Sequence, residues 1–384
     1  MSSKCSRNIC GLTPGNSVYS LVMIAEAKQL CRITVLRRSL TASHREPISF
    51  ARDIGPRKGT NSGVDTIDWL LNSDPATRWQ ALRDLTDASP AVTSEERARV
   101  PREGLGAEIL ARQQPDGSWR RPAAPVWLPT LFTLLLLRAT GVDRAEAAVE
   151  SAVARLEASL RWDNQAGPWD LRAVEDGAKP FFEGEVEPCI NGGALALGAY
   201  FGRPTESLAR RLAGEQLDDG GWNCEAPQST RSSFHTTICV LEGLLEYERA
   251  AGAAPDIAEV RRRGEEYLLE RGLFRRRSTG DVADWAFLEL AFPPRYHYDV
   301  LRALDYFRNT GAKPDARMAD AVHLLESKRQ ADGRWLLDRA YDEALPFPFG
   351  ESAGEPSRWN TLRALRVLRW YGAGGSFGIT ARSG

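Results

Sequence analysis

Asp116-Gly117-Ser118-Trp119, Ala166-Gly167-Pro168-Trp169, Asp219-Gly220-Gly221-Trp222 and Asp332-Gly333-Arg334-Trp335 are four turns of one kind in a chain of 384 residues. Their tryptophans lie 50, 53 and 113 residues apart, and the last gap is close to two periods, so a degenerate turn is expected between Trp222 and Trp335. Gly272-Leu273-Phe274 fills it, with the glycine kept and Phe274 standing 52 residues after Trp222. A fixed period of this length marks a chain built from repeated supersecondary units, each too small to bury its own apolar face.

Apolar helical segments follow the turns and stop at a glycine: Leu128–Thr140, Cys189–Phe201, Phe234–Ala251, Tyr298–Thr310 and Trp359–Tyr371. Glycine just past a helix is the residue that most readily takes up the left-handed stop. Trp79-Gln80-Ala81-Leu82-Arg83 resembles Trp359-Asn360-Thr361-Leu362-Arg363 and opens a sixth segment. Between them run amphipathic stretches such as Ser94–Arg112, Asp143–Leu160, Asp256–Arg271 and Pro314–Arg329. Helices apolar on most faces must be buried, whereas half-polar ones can face water. The pattern predicts an all-α fold, an α/α toroid of about six helical hairpins with inner and outer rings around a central cavity. An open solenoid needs polar caps, and a count near six suits closure.

The formal charge of −1 hides an asymmetry, because residues 1–60 hold ten Lys or Arg against three acids. The rest of the chain is therefore net acidic, which argues against a nucleic-acid partner. Residues 1–60 have weak periodicity and read as a poorly structured basic N-terminal extension, 61–373 as the toroid, and 374–384 as a flexible tail. Six cysteines in so long a chain do not make a disulfide scaffold, so a reducing, cytoplasmic setting is expected. The apolar run Leu21–Ala25 is too short for a membrane span, and polar Gly11–Ser17 sits where a signal peptide would turn apolar.

Gln113-x-x-x-Gly117-x-Trp119 and Gln216-x-x-x-Gly220-x-Trp222 resemble the Gln–Trp motif of squalene–hopene and related triterpene cyclases, with Arg329 in place of Gln in the Trp335 copy. That resemblance, over residues 61–373, implies the toroid fold and a structural role for the motif. It carries no chemistry with it, because triterpene cyclases protonate an alkene with an Asp inside an Asp-x-Asp-Asp run, which this chain lacks. An Asp-Asp-x-x-Asp segment for magnesium is also missing.

A second resemblance is to protein prenyltransferase β subunits, carried by Gly220-Gly221-Trp222-Asn223-Cys224 and Ser232-Ser233-Phe234-His235-Thr236-Thr237. It implies that His235 binds catalytic zinc, that Cys189 stands for the family's Cys, and that Glu187 stands for its Asp; Cys224 becomes a further ligand or a replacement for the carboxylate. Zinc accepts this mixture of donors and needs an open position for catalysis. The plainer reading of His235 is a hydrogen-bonding helix start, and of the two cysteines, small buried side chains. The same family works with a helical partner subunit, and nothing in this sequence speaks to one.

Two other inner-helix starts carry candidate residues. In Tyr296-His297-Tyr298-Asp299, His297 and Asp299 are a candidate acid/base pair; in Ser357-Arg358-Trp359-Asn360, Arg358 is a candidate anion binder. Tyr296 and Trp359 are candidate walls of a substrate pocket, and capping with aromatic packing is the competing role for all five. Glu183, Glu185 and Glu187 and the runs Arg261–Arg263 and Arg275–Arg277 read as solvated faces. Ala213-Gly214-Glu215-Gln216 is similar to the thioester segment of complement-type toroids, but Ala213 stands where their reactive Cys would be. The expected function is an enzyme that takes an isoprenoid or other apolar small molecule into its cavity, with zinc as cofactor. The alternatives are a zinc-dependent peptide cyclase resembling lanthionine-forming enzymes, whose Cys-His-Gly is absent, and a non-catalytic lipid- or protein-binding toroid.

Overall fold

A computed structural model describes residues 62–122, 124, 126–162, 171–172, 179–252, 254–341 and 345–374. The basic extension, most of the C-terminal tail and the Gly167–Trp169 turn lie outside the described residues. One compact unit, Gly59–Arg121 with Val126–Gly384, holds the repeats.

Its helices begin with α1 (Ser62–Leu71), α2 (Pro75–Leu85), α3 (Pro90–Arg99), α4 (Gly104–Ala111), α5 (Trp127–Ala139) and α6 (Ala147–Ser159). They continue with α7 (Pro188–Tyr200), α8 (Glu206–Gly214), α9 (Phe234–Ala251), α10 (Pro255–Leu269), α11 (Val300–Asn309), α12 (Ala319–Ser327) and α13 (Arg358–Gly374). The six apolar segments of the sequence are α2, α5, α7, α9, α11 and α13, and they form the inner ring. Trp79 of α2 donates its indole N–H to the Thr140 carbonyl at the end of α5 (2.7 Å). Arg302 of α11 holds Glu242 of α9 through two bonds of 2.9 and 2.8 Å. Arg366 of α13 closes the circle, donating to Asp305 of α11 (2.7 Å) and to Gln80 of α2 (3.0 Å).

The recurring turn stitches neighbouring hairpins together. Trp119, Trp222 and Trp335 are each fully buried, and each indole N–H donates to the carbonyl ten residues earlier, in the preceding outer helix: Ile109, Leu212 and Leu325, at 2.7, 2.7 and 2.8 Å. Their backbone N–H groups donate to Thr130, Thr237 and Thr361 of the following inner helix, at 3.1, 3.1 and 3.0 Å. Gln113 and Gln216 reach sideways to Ala152 and Val260 in the next outer helix (2.8 and 2.7 Å). Each such turn thus ties three helices at once, and its glycine has φ of 78° at Gly117, 93° at Gly220 and 85° at Gly333, where a side chain would be strained.

Two outer segments differ from expectation. Ser94–Arg112 is broken into α3 and α4, because Pro101 supplies no backbone donor and Gly104 turns the chain with φ of 61°. Asp74 then serves two helix starts, accepting from Ala76 in α2 (2.8 Å) and Leu105 in α4 (2.7 Å). Pro314–Arg329 opens with a 3-10 turn, Ala316–Met318, before α12. Three two-residue strands, β1 (Arg161–Trp162), β2 (Leu171–Arg172) and β3 (Lys179–Pro180), pair antiparallel in the order β2-β1-β3. Here Trp162, not singled out in the sequence, is fully buried and donates to the Phe181 carbonyl (2.8 Å).

Candidate functional site

The closest approach of two inner helices builds the first candidate centre. A Cβ at Gly192 of α7 would strike the Cys239 carbonyl, and one at Gly243 of α9 would lie 2.5 Å from the Gly192 carbonyl. Only glycines let these backbones meet. The contact brings the start of α7 beside the start of α9, where a donor atom from each of Glu187, Cys189 and Cys224 falls within 4.8 Å of the others. Cys189 Sγ is 4.0 Å from a Glu187 oxygen, and Cys224 Sγ is 3.4 Å from Thr236 Oγ1. All three are half-buried, and the donor set of one carboxylate and two sulfurs can hold a metal ion. The Cys224 thiol, then burial and the Glu187 carboxylate, raise the Cys189 thiol well above its ordinary range. A divalent cation would reverse that field.

Glu185 was expected on a solvated face and is instead fully buried. Its carboxyl accepts from the backbone N–H groups of Val186 and Glu187, and burial pushes it up to about 8. Asn191, also fully buried, accepts from Glu185 N (2.6 Å) and donates to Glu185 O (3.1 Å). This knot holds the strap that presents Glu187 and Cys189. Glu183 and Val186 are exposed.

His235 stands outside the three-residue group. Its Nδ1 accepts from the backbone N–H of Tyr298 at 2.8 Å. A backbone N–H can only donate, so Nδ1 is the bare nitrogen and Nε2 carries the proton, which leaves no lone pair for a metal in this arrangement. Burial lowers the His235 pKa to about 4 and that of His297 to about 2. His297 lies flat on Tyr341 (3.9 Å between ring centres, 11°) and 4.3 Å from the Tyr296 ring. Asp299 caps α11: one oxygen accepts from Arg302 N (2.8 Å) and the other from Ala291 N (3.3 Å). With both oxygens on backbone donors, it is a helix cap.

Arg358 turns away from the ring's interior. Its guanidinium sits 4.6 Å over Trp69, and its backbone N–H donates to Glu351 (2.9 Å). Trp359 stacks on Phe292 (4.4 Å, 9°) and walls a cavity of about 700 Å³ inside the ring. Phe132, Leu135, Leu245 and Trp79 belong to the apolar part of that wall. Neither cysteine, nor Glu187, His235 or His297, lines it. The segment between runs from Phe292 to Tyr298: Phe292–Arg295 face the cavity, while Tyr296 O accepts from Cys239 Sγ (3.7 Å) and Tyr298 N donates to His235.

The rest of the wall is charged. Among the described residues, Arg83, Arg97, Arg138, Arg249, Arg295, Arg302, Arg363 and Arg366 line it together with the carboxylates Glu242, Glu246 and Asp305. Burial pushes Glu242 and Asp305 up, but their arginine partners outweigh it, Arg302 for the first and Arg366 for the second, and both carboxyls end below their ordinary range. They are therefore ionised at neutral pH and offer no proton to an alkene. Sequence reading missed these arginines, although the signal was present: Arg138, Glu242, Arg302, Asp305, Arg363 and Arg366 are charges inside helices expected to be buried. Of the basic runs expected on solvated faces, Arg262, Arg263 and Arg277 are exposed, whereas Arg261 is half-buried between Glu248 (2.6 Å) and Glu265, and Arg275 is half-buried on Asp320 (2.9 Å).

Among the described residues no helix is long and apolar enough to cross a membrane. No protein-family model matches the chain, and no curated protein does. Among solved structures it is similar to a protein from Actinoplanes, at 14% identity and TM-score 0.42, over 81% of this chain and 98% of that one. It is also similar to the type II terpene cyclase MstE from Scytonema, at 17% identity and TM-score 0.42, over 80% and 95% of the two chains. The same cyclase in complex with geranylgeranyl dihydroxybenzoate gives a TM-score of 0.40, over 82% and 96% at 17% identity. The α/α ring itself is fixed by the chain's own closing contacts from Arg366 to Asp305 and Gln80.

Proposed function

We propose that this ring is an enzyme acting on an isoprenoid or comparable chain-like substrate drawn into its central cavity, by chemistry other than proton-initiated cyclisation. The observation that carries the reading is the half-open space of about 700 Å³ with Phe132, Leu135, Leu245, Phe292 and Trp359 on its wall. Its size is that of a small-molecule site, and the aromatic and aliphatic side chains exclude water from a bound chain. Ionised Glu242 and Asp305 are the reason cyclisation by protonation is left out. Because Trp79 and Trp359 are wall residues, titration with geranylgeraniol should change the tryptophan fluorescence and saturate. An unchanged spectrum up to the solubility limit of the alcohol would count against the reading.

Glu187, Cys189 and Cys224 are proposed as a zinc centre with one position open. Zinc there would lower the pKa of a bound thiol or water and polarise a ligand in the open position. Elemental analysis should find one zinc per chain and none in Cys189→Ser, with His235→Ala retaining it. Because this group does not line the cavity, a second reading is that its substrate is a peptide thiol approaching from the half-exposed side. Competition of a cysteine-containing peptide for the metal's open position, with geranylgeraniol having no effect on it, would favour that reading.

A further inference from the structure

We propose that Cys189 and Cys224 are a redox-active thiol pair, which a peroxide closes reversibly to a disulfide. The inference goes beyond the zinc reading of the same residues and stands without it, since oxidation needs the two sulfurs and no metal.

The two thiols come from different elements. Cys189 is in the first turn of α7, and Cys224 lies in the turn that leads from Trp222 to α9. Their sulfurs are within 4.8 Å of each other, and a disulfide requires about 2.05 Å. Rotation of one cysteine side chain between staggered rotamers closes a gap of that order. Cys224 Sγ rests on Thr236 Oγ1 at 3.4 Å, a weak thiol contact, and its turn continues into exposed residues 225–228, so the side chain has room to rotate. Cys239 is placed differently. It is buried, its Sγ donates to the Tyr296 carbonyl (3.7 Å), and Arg302 donates to it (3.5 Å). Held from both sides in the core, it has the inert setting of a structural cysteine, whereas Cys189 and Cys224 are half-buried and within reach of a small oxidant. Six cysteines in 384 residues are too few for a disulfide scaffold, so a bond here is one made and broken in use.

The oxidant is hydrogen peroxide. Cys224, beside the exposed turn, attacks one peroxide oxygen: an S–O bond forms, the O–O bond breaks, and the thiol proton leaves with the departing hydroxide as water. Cys189 then attacks the sulfur of the resulting sulfenic acid. The S–S bond forms, the S–O bond breaks, and the hydroxyl departs with the Cys189 proton as a second water. The two sulfurs together lose two electrons and the peroxide gains two. The product ties the start of α7 to the turn before α9 and removes both thiolates from any metal. A dithiol restores them by exchange.

The test is peptide mapping of the full-length protein by mass spectrometry after hydrogen peroxide, with thiols alkylated before and after dithiothreitol. Mapping separates this pair from Cys5, Cys10 and Cys31. Protein stripped with a chelator is compared with protein reloaded with zinc chloride. In the stripped protein a Cys189–Cys224 cross-linked peptide should form, dithiothreitol should return two alkylatable thiols, and Cys239 should stay reduced. Zinc should slow the cross-link at least about tenfold, because metal-bound thiolates are shielded from the oxidant. Sulfinic or sulfonic acid at either residue with no cross-link, or either residue paired instead with another cysteine, would overturn this inference and leave the zinc reading standing. Equal rates with and without zinc would do the reverse. In Cys224→Ser no cross-linked peptide containing Cys189 should form, and one formed at the wild-type rate would overturn the pair. Where that variant is poorly folded, the wild-type map decides alone.

Discussion

The start of the α7–α9 pair and the cavity wall are a few residues apart along the same helices, yet they are opposite in charge and in chemistry. At the helix starts Glu187, Cys189 and Cys224 gather negative or ionisable donors around a point, half open to solvent. Along the cavity the same ring presents arginine, and its carboxylates are neutralised by ion pairs. The segment Phe292–Tyr298 divides them, with proline and arginine on one side and bonds to Cys239 and His235 on the other. A ring of helices thus gives two separate environments, one of thiols and a carboxylate and one of ion-paired arginines.

The comparison is broken most severely by removing an internal counter-charge. Asp305→Asn leaves Arg366 and Arg363 buried beside a neutral amide, and loss of a buried partner costs about 3–5 kcal/mol, read as a lowered urea midpoint. Gly192→Ala attacks the other region. Its methyl would meet the Cys239 carbonyl, so α7 and α9 must part, at about 1–3 kcal/mol, and the variant should bind less zinc than wild type. The smallest effect separates the histidines from both regions. His235 and His297 are held neutral, at about 4 and about 2, below their unfolded value of 6.5. Their contribution to stability is complete above pH 6.5 and is lost as pH falls, because the unfolded chain takes up protons that the folded one refuses. Melting temperature should therefore fall between pH 6.5 and 4, with a shallower slope in His297→Gln.

Much of the ring could be read from the sequence because helix periodicity and glycine stops are local. Phe234–Ala251 has the bounds expected of it, and the Gly-x-Trp spacing located the turns that tie outer to inner helices. The pairing of Cys189 with Cys224 was also within reach, since Cys189 falls at an inner-helix start and Cys224 in the turn that leads into the next one. Other features depend on long-range packing and carry no local mark. The bare Nδ1 of His235 is set by Tyr298, 63 positions away, and the fully buried Glu185 looks in sequence like its exposed neighbour Glu183. Arg363 and Arg366 are different: charges inside an apolar helix were legible as an anomaly, but only the ring shows that they share one cavity with Arg302 and Arg138.

The central claim is that the cavity holds a chain, and filling it tests that claim directly. Leu135 lies on the wall, half-buried, on α5. Calorimetric titration of geranylgeraniol into wild type and Leu135→Trp should show saturable one-to-one binding in the first and at least about tenfold weaker binding in the second. Equal affinity in the two proteins, with the variant folded, would contradict the account.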